Sequence, residues 1–225
     1  MPFDDFTLCA ATDDLADEPR AREHADAVEF RLDHADGPLD ELDAYSGDLP
    51  ILATNPHVDE GGAVADDAER LDVLAAAAEY DAVGAVAIEL DAMRDGRGER
   101  VAEAARANDA SVVVAAHDFE GTPLRQDLRG ILGNALEYGD VAKLATTATD
   151  RVDVLDLVTV THEFDYEGEK VATMAMGEAG RHSRAVLPLY GSRIGYAPVD
   201  PADATASGQY DAATLRRLVD DLTGA

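Results

Sequence analysis

Eight short apolar runs, most of them separated by a helical pattern, constrain this chain more than any other feature. They are Thr7–Thr12, Ala27–Asp33, Pro50–Asn55, Ala85–Leu90, Ser111–His117, Val141–Thr147, Val171–Met176 and Ile194–Val199. Ser111-Val112-Val113-Val114-Ala115-Ala116 is continuously apolar rather than alternating, as expected of a parallel strand covered on both faces. Three intervening segments carry helical stripes: Leu71, Leu74, Ala75 and Ala78; Leu124, Leu128, Ile131, Leu132 and Ala135; Leu215, Leu218, Val219 and Leu222. Thr122-Pro123 predicts an N-cap and first helical residue for the second. Eight strand–helix repeats in 225 residues imply a (β/α)8 TIM barrel, with a doubly wound open sheet as the alternative. With no linker and no low-complexity stretch, residues 1–225 read as one domain.

Charge narrows the partners. Eighteen Lys and Arg face 47 Asp and Glu, a net charge of −29, and only Lys143 and Lys170 are lysines. The acids are interleaved with apolar runs, unlike a disordered acidic tail. Many carboxylates with almost no lysine fit a halophilic protein, because at about 1 M salt the Debye length is near 3 Å and carboxylate repulsion is screened. Such a surface argues against nucleic acid and anionic membranes as partners. Cys9 stands alone, which excludes an internal disulfide and a cysteine metal cluster. No apolar run approaches the ~20 residues of a membrane span. Met1–Asp5 offers no basic n-region, so a cytoplasmic protein is expected.

Chemistry is expected where barrel strands end. Lys143 lies within the sixth apolar run, in a chain that otherwise prefers arginine. Only lysine can shed its proton and act as a nucleophile; the alternative is a lysine snorkelling from a strand end. His117 closes the fifth run, as a proton-transfer group or as a histidine satisfying a carbonyl. Glu29, Arg31 and Asp33 alternate, so they share one face of the second run. Facing inward, they would be costly unless they build a site; facing outward, they would be solvated. Met176-Gly177-Glu178-Ala179-Gly180 leads to Arg184, a candidate carboxylate clamp, but lacks the spacing of a dinucleotide or phosphate loop.

Taken together, these motifs resemble the type I 3-dehydroquinate dehydratase family, of a haloarchaeal-like kind, over nearly the whole chain. The resemblance rests on Glu29-x-Arg31-x-Asp33, on His117 through Thr122-Pro123, and on Lys143, 26 residues beyond His117. Met176-Gly177, Gly180 and Ser183-Arg184 extend it, as does Thr205-Ala206-Ser207-Gly208-Gln209. Two departures stand out. Asn55-Pro56-His57 precedes Glu60-Gly61-Gly62 where the family often has a substrate-contacting arginine, so either Asn55 or His57 substitutes or that contact is dispensable. Ser207 replaces the last motif's proline.

The resemblance implies a class I aldolase-like barrel that removes water from 3-dehydroquinate to give 3-dehydroshikimate, in aromatic amino-acid biosynthesis by the shikimate pathway. It implies a Schiff base on Lys143 with His117 as acid–base group, and substrate contacts from Glu29, Arg31, Arg184, Thr205 and Gln209. Glu60 would orient His117. No metal or organic cofactor is implied, and a homodimer is. The nearest alternative is another class I aldolase-type Schiff-base lyase.

Overall fold

A computed structural model describes residues 1–200, 202 and 207–224. Eight strands follow in chain order: β1 (Thr7–Thr12), β2 (Ala27–Arg31), β3 (Ile51–Thr54), β4 (Val83–Glu89), β5 (Ser111–Asp118), β6 (Val141–Thr147), β7 (Val171–Met176) and β8 (Ile194–Pro198). Their lateral order is β7-β6-β5-β4-β3-β2-β1-β8, with parallel pairing between neighbours. The remaining seam, between β7 and β8, carries a single parallel bridge, Val171 to Ser192. There the Ser192 hydroxyl accepts from Thr173 N at 3.0 Å and donates to Thr173 O at 3.2 Å. A side chain thus takes over from the backbone ladder and nearly closes the barrel, with helices between the strands. The open-sheet alternative is excluded by this seam.

Period-two alternation in each strand divides the core into two layers. Outward residues such as Phe30, Ile51, Val86, Ile88, Val112 and Leu144 pack against helical Leu74, Leu128, Leu132 and Leu157. Inward residues such as Leu52, Val113, Val141, Ala172, Met174 and Tyr196 fill the barrel, and Phe3 joins them, 2% exposed. Both faces are therefore dry, which is why the strand sequences are continuously apolar rather than alternating in polarity.

Acidic residues start several helices. Asp66 accepts from Ala68 and Glu69 N–H groups, and Asp150 forms a reciprocal capping box with Asp153. Anionic caps satisfy N–H groups with no helical partner and sit at the positive end of the helix dipole. The expected start at Thr122-Pro123 is not observed: the helix begins at Arg125. The Thr122 hydroxyl instead bonds Thr147 O at 3.1 Å and Thr146 Oγ1 at 3.0 Å, tying the β5 loop to the end of β6. Leu124 consequently leaves the predicted stripe and is 70% exposed, whereas Leu128, Leu132 and Ala135 are buried.

Candidate active site

At the C-terminal mouth of the barrel one cavity is lined by Glu29, Arg31, Glu60, His117, Lys143, Arg184 and Gln209. Of the residues singled out from sequence, these seven and Asn55 line it, whereas Asp33 and His57 do not; Thr205 lies outside the described residues. The alternation of β2 resolves inward, with Glu29 and Arg31 each 8% exposed. The β5–β6 register pairs Ala115 with Lys143 and His117 with Ala145. His117 therefore sits one inward step closer to the mouth than Lys143, on the neighbouring strand.

Lys143 is 9% exposed, and its Nζ lies 4.3 Å from the centre of the Tyr196 ring. Burial pulls its pKa below the ordinary lysine value; Glu29 opposes this and Arg31 adds to it. Desolvation penalises the charged form, which favours the neutral amine relative to a surface lysine. Lys170, by contrast, bonds Pro2 O at 2.6 Å and Asp4 at 2.7 Å near the other end of the barrel.

His117 Nδ1 lies 2.7 Å from Glu60 Oε2, and its ring stacks on Phe119 at 5.7 Å. Burial, helped by the charge of Lys143, pushes the imidazole down to about 3, while burial lifts Glu60 to about 7. The histidine is thus neutral near pH 7. When Glu60 is ionised it accepts a hydrogen bond from Nδ1–H, leaving the Nε2 lone pair to take a proton.

Glu60 is held by a constrained loop. At Gly62 a Cβ would come within 1.7 Å of Pro56 O, so no other residue fits there without rebuilding the turn. Gly61 O accepts from Arg31 NH2 at 3.2 Å. Arg31 also grips Asp33 through Nε at 2.8 Å and NH2 at 2.6 Å, so the third residue of the alternating triplet fixes the second.

Arg184 is 6% exposed, forms no ion pair among the described residues, and its Nε lacks a hydrogen-bond partner. Burial pulls its pKa down to about 10. A buried guanidinium without a carboxylate leaves a positive charge uncompensated in the cavity wall. Gln209 follows a turn docked on the Met176-Gly177 segment: Gly177 N donates to Ser207 O at 3.2 Å, and Gly208, at φ +81°, passes so near Gly177 O that a Cβ would lie 2.7 Å from it.

Of the two candidates at the missing arginine, Asn55 lines the cavity and His57 does not. Asn55 Nδ2 donates to Arg70 O at 2.9 Å, and His57 binds its own loop through Ala65 O and Asp59 N. Sequence reasoning missed Glu89, 6% exposed in the cavity wall, and Arg70, 2% exposed behind it. Arg70 NH1 meets both Glu89 oxygens at 2.9 Å, and His57 N–H reaches Glu89 Oε1 at 2.9 Å. Glu89 had a readable signal, being a carboxylate on the inward alternation of β4. Among the described residues no group of three His, Cys, Asp or Glu side chains is placed to hold a metal ion.

The model of the type I 3-dehydroquinase family matches residues 7–224. The chain belongs to that family. Within it, the 3-dehydroquinate dehydratase of Haloarcula marismortui is 60% identical over 226 residues, covering 99% of this chain and 98% of the relative. The enzyme of the same name from Halobacterium salinarum is 52% identical over 225 residues, covering 99% and 100%. A crystal structure of 3-dehydroquinate dehydratase from Geobacillus kaustophilus superposes with a TM-score of 0.83 at 27% identity, covering 98% of this chain and 92% of that one. The two haloarchaeal relatives accord with the salt adaptation read from composition.

Proposed function

We propose that this type I 3-dehydroquinase, a hydro-lyase, converts 3-dehydroquinate to 3-dehydroshikimate through an imine between Lys143 and the substrate ketone. The observation that carries the reading is a buried, deprotonation-prone lysine one inward step below a neutral, carboxylate-held histidine on the neighbouring strand.

Substrate enters with its carboxylate on Arg184, and Gln209 extends the anion-binding side of the cavity. Glu29 and Arg31 orient ring hydroxyls, and Thr205 is proposed to assist from the preceding segment. The neutral Lys143 amine adds to the C3 carbonyl carbon. The carbinolamine then loses water to give a protonated imine, with His117 relaying protons. That cation withdraws electrons from C2, and His117 Nε2 removes a C2 proton to leave an enamine. The enamine electrons return and expel the C1 hydroxyl, which departs as water with the proton His117 has just taken. Water finally hydrolyses the conjugated imine, freeing Lys143 and 3-dehydroshikimate. One water is released on imine formation and one consumed on hydrolysis, so the net change is loss of the C1 hydroxyl and one C2 hydrogen. No step calls for a metal or an organic cofactor.

Borohydride reduction tests this directly. In molar KCl with 3-dehydroquinate it should inactivate the enzyme and attach the substrate skeleton to Lys143, because reduction turns the imine into a stable secondary amine. The two-lysine composition supplies Lys170 as an internal control. Lys143→Ala should abolish labelling and nearly all turnover, and Lys170→Arg should preserve both. Labelling on Lys170, or turnover without Lys143, overturns the mechanism.

A further inference from the structure

We propose that Tyr196 is a catalytic residue of the imine step, the face of its ring carrying the cation that forms at Lys143 Nζ. This rests on the Schiff-base reading above and adds a group that assists it. Tyr196 reaches Nζ from β8, whereas Lys143 stands on β6, so the ring crosses the barrel interior past the intervening β7. It is 4% exposed, lines the same cavity, and lies 4.3 Å from Nζ, within the range of a cation–π contact.

The surroundings explain why a ring suits this position. Arg31 and Arg184 repel a cation at Nζ, and Glu29 and Glu60 attract one. Among the described residues, none of these carboxylates is near enough for an ion pair with Lys143. A carboxylate in contact would hold the amine permanently protonated and useless as a nucleophile. An aromatic face attracts a cation more weakly, so the amine can still deprotonate before attack. Once the carbinolamine collapses, positive charge returns to the same nitrogen in a dry environment, where the ring's negative face stabilises it. The ring thus favours the protonated imine over the uncharged species that precede it, which is preferential stabilisation of the kind that raises turnover.

The hydroxyl is not the source of this effect. Tyr196 Oη is buried without a hydrogen-bond partner, and burial pushes its pKa well above the ordinary phenol value, so it neither donates to the lysine nor ionises. What reaches Nζ is the π face.

The experiment measures borohydride trapping of the Lys143 adduct and single-turnover imine formation, in molar KCl, for variants at position 196. Tyr196→Phe keeps the ring and should stay within about twofold of wild type, whereas Tyr196→Leu should slow imine formation roughly five- to thirty-fold. Because Tyr196→Leu also leaves a cavity in the barrel, a second series is decisive. Site-specific replacement by mono-, di- and trifluorophenylalanine preserves shape while draining the ring's negative face, and the rate should fall stepwise with fluorine number. A flat fluorine series, or a Tyr196→Phe loss as large as that of Tyr196→Leu, overturns the proposal while wild type is still trapped. A wild-type enzyme that is never trapped overturns the Schiff-base reading, and the role of the ring with it.

Discussion

Glu60 Oε2 stands 2.7 Å from His117 Nδ1, and this one contact joins a carboxyl lifted to about 7 with an imidazole lowered to about 3. Burial drives both shifts, in each case by disfavouring the charged form. Around neutral pH the imidazole is uncharged throughout, and Glu60 is the partner whose protonation state changes.

Activity should therefore follow Glu60. Below about 7 its carboxyl gains a proton and donates to Nδ1, which places the imidazole proton on Nε2 and removes the base. The expected kcat profile falls as pH drops through about 7, with no histidine limb until near 3. In Glu60→Gln the plateau should drop by roughly ten- to a hundredfold while KM changes little, since orientation of an acid–base group supports a contribution of about 10²–10⁴. The limb near 7 should disappear. A Glu60→Gln enzyme that keeps the wild-type limb assigns it to another group.

Much of this site is readable before folding, for reasons specific to each residue. Lys143 stands out because arginine fills nearly every other cationic position, and Glu29 and Arg31 because charge on a strand's period-two positions must face somewhere. Arg70 offered no such signal. It is one of 16 arginines, placed in a helix that also buries Leu71 and Leu74, and only tertiary packing turns its guanidinium toward Glu89. Tyr196 reads as an ordinary aromatic in an apolar strand until β8 is brought across from β6. The helix starts later than Thr122-Pro123 predicts for a comparable reason: the Thr122 hydroxyl bonds the end of β6 instead of capping the helix. Local propensity describes what a segment prefers alone, and these residues answer to neighbours distant in sequence.

The Arg70–Glu89 pair should matter more to folding than any surface pair. Both side chains are buried, and Arg70 also holds Asn55 O at 3.0 Å and Asp67 at 2.6 Å, binding β3, β4 and the helix Asp67–Ala77 together. Arg70→Met strands a buried carboxylate, an error that costs about 3–5 kcal/mol. Adding Glu89→Gln removes that charge and should restore a large part of the loss, because an unpaired amide is far cheaper to bury than an unpaired anion. Chemical unfolding in molar KCl reads both effects. Equal stability of wild type and Arg70→Met would show that the pair is solvated in solution.

Salt sets the last expectation, and two opposing effects decide its sign. Arginines bridge acids over much of the surface, as in Arg125–Asp156, Arg129–Glu167 and Arg97–Asp95, and such exposed pairs weaken as salt rises. If they dominated, the protein would be most stable in dilute buffer. Cations are too few for that: were every Lys and Arg matched to one acid, 47 − 18 = 29 carboxylates would still repel one another. Unmatched repulsion extends over the whole surface and is relieved by unfolding, whereas each exposed pair contributes only about 0–1 kcal/mol. Screening the repulsion should win. The Tm is expected to climb steadily between about 0.1 M and about 2 M KCl, where the Debye length contracts from about 10 Å to below 3 Å. Sucrose at matched osmolality separates screening from general solvent exclusion, since it lacks charge and should reproduce only a minor part of the rise. A Tm that is flat or falling with KCl would mean that the arginine pairs, few as they are, outweigh the excess of acids.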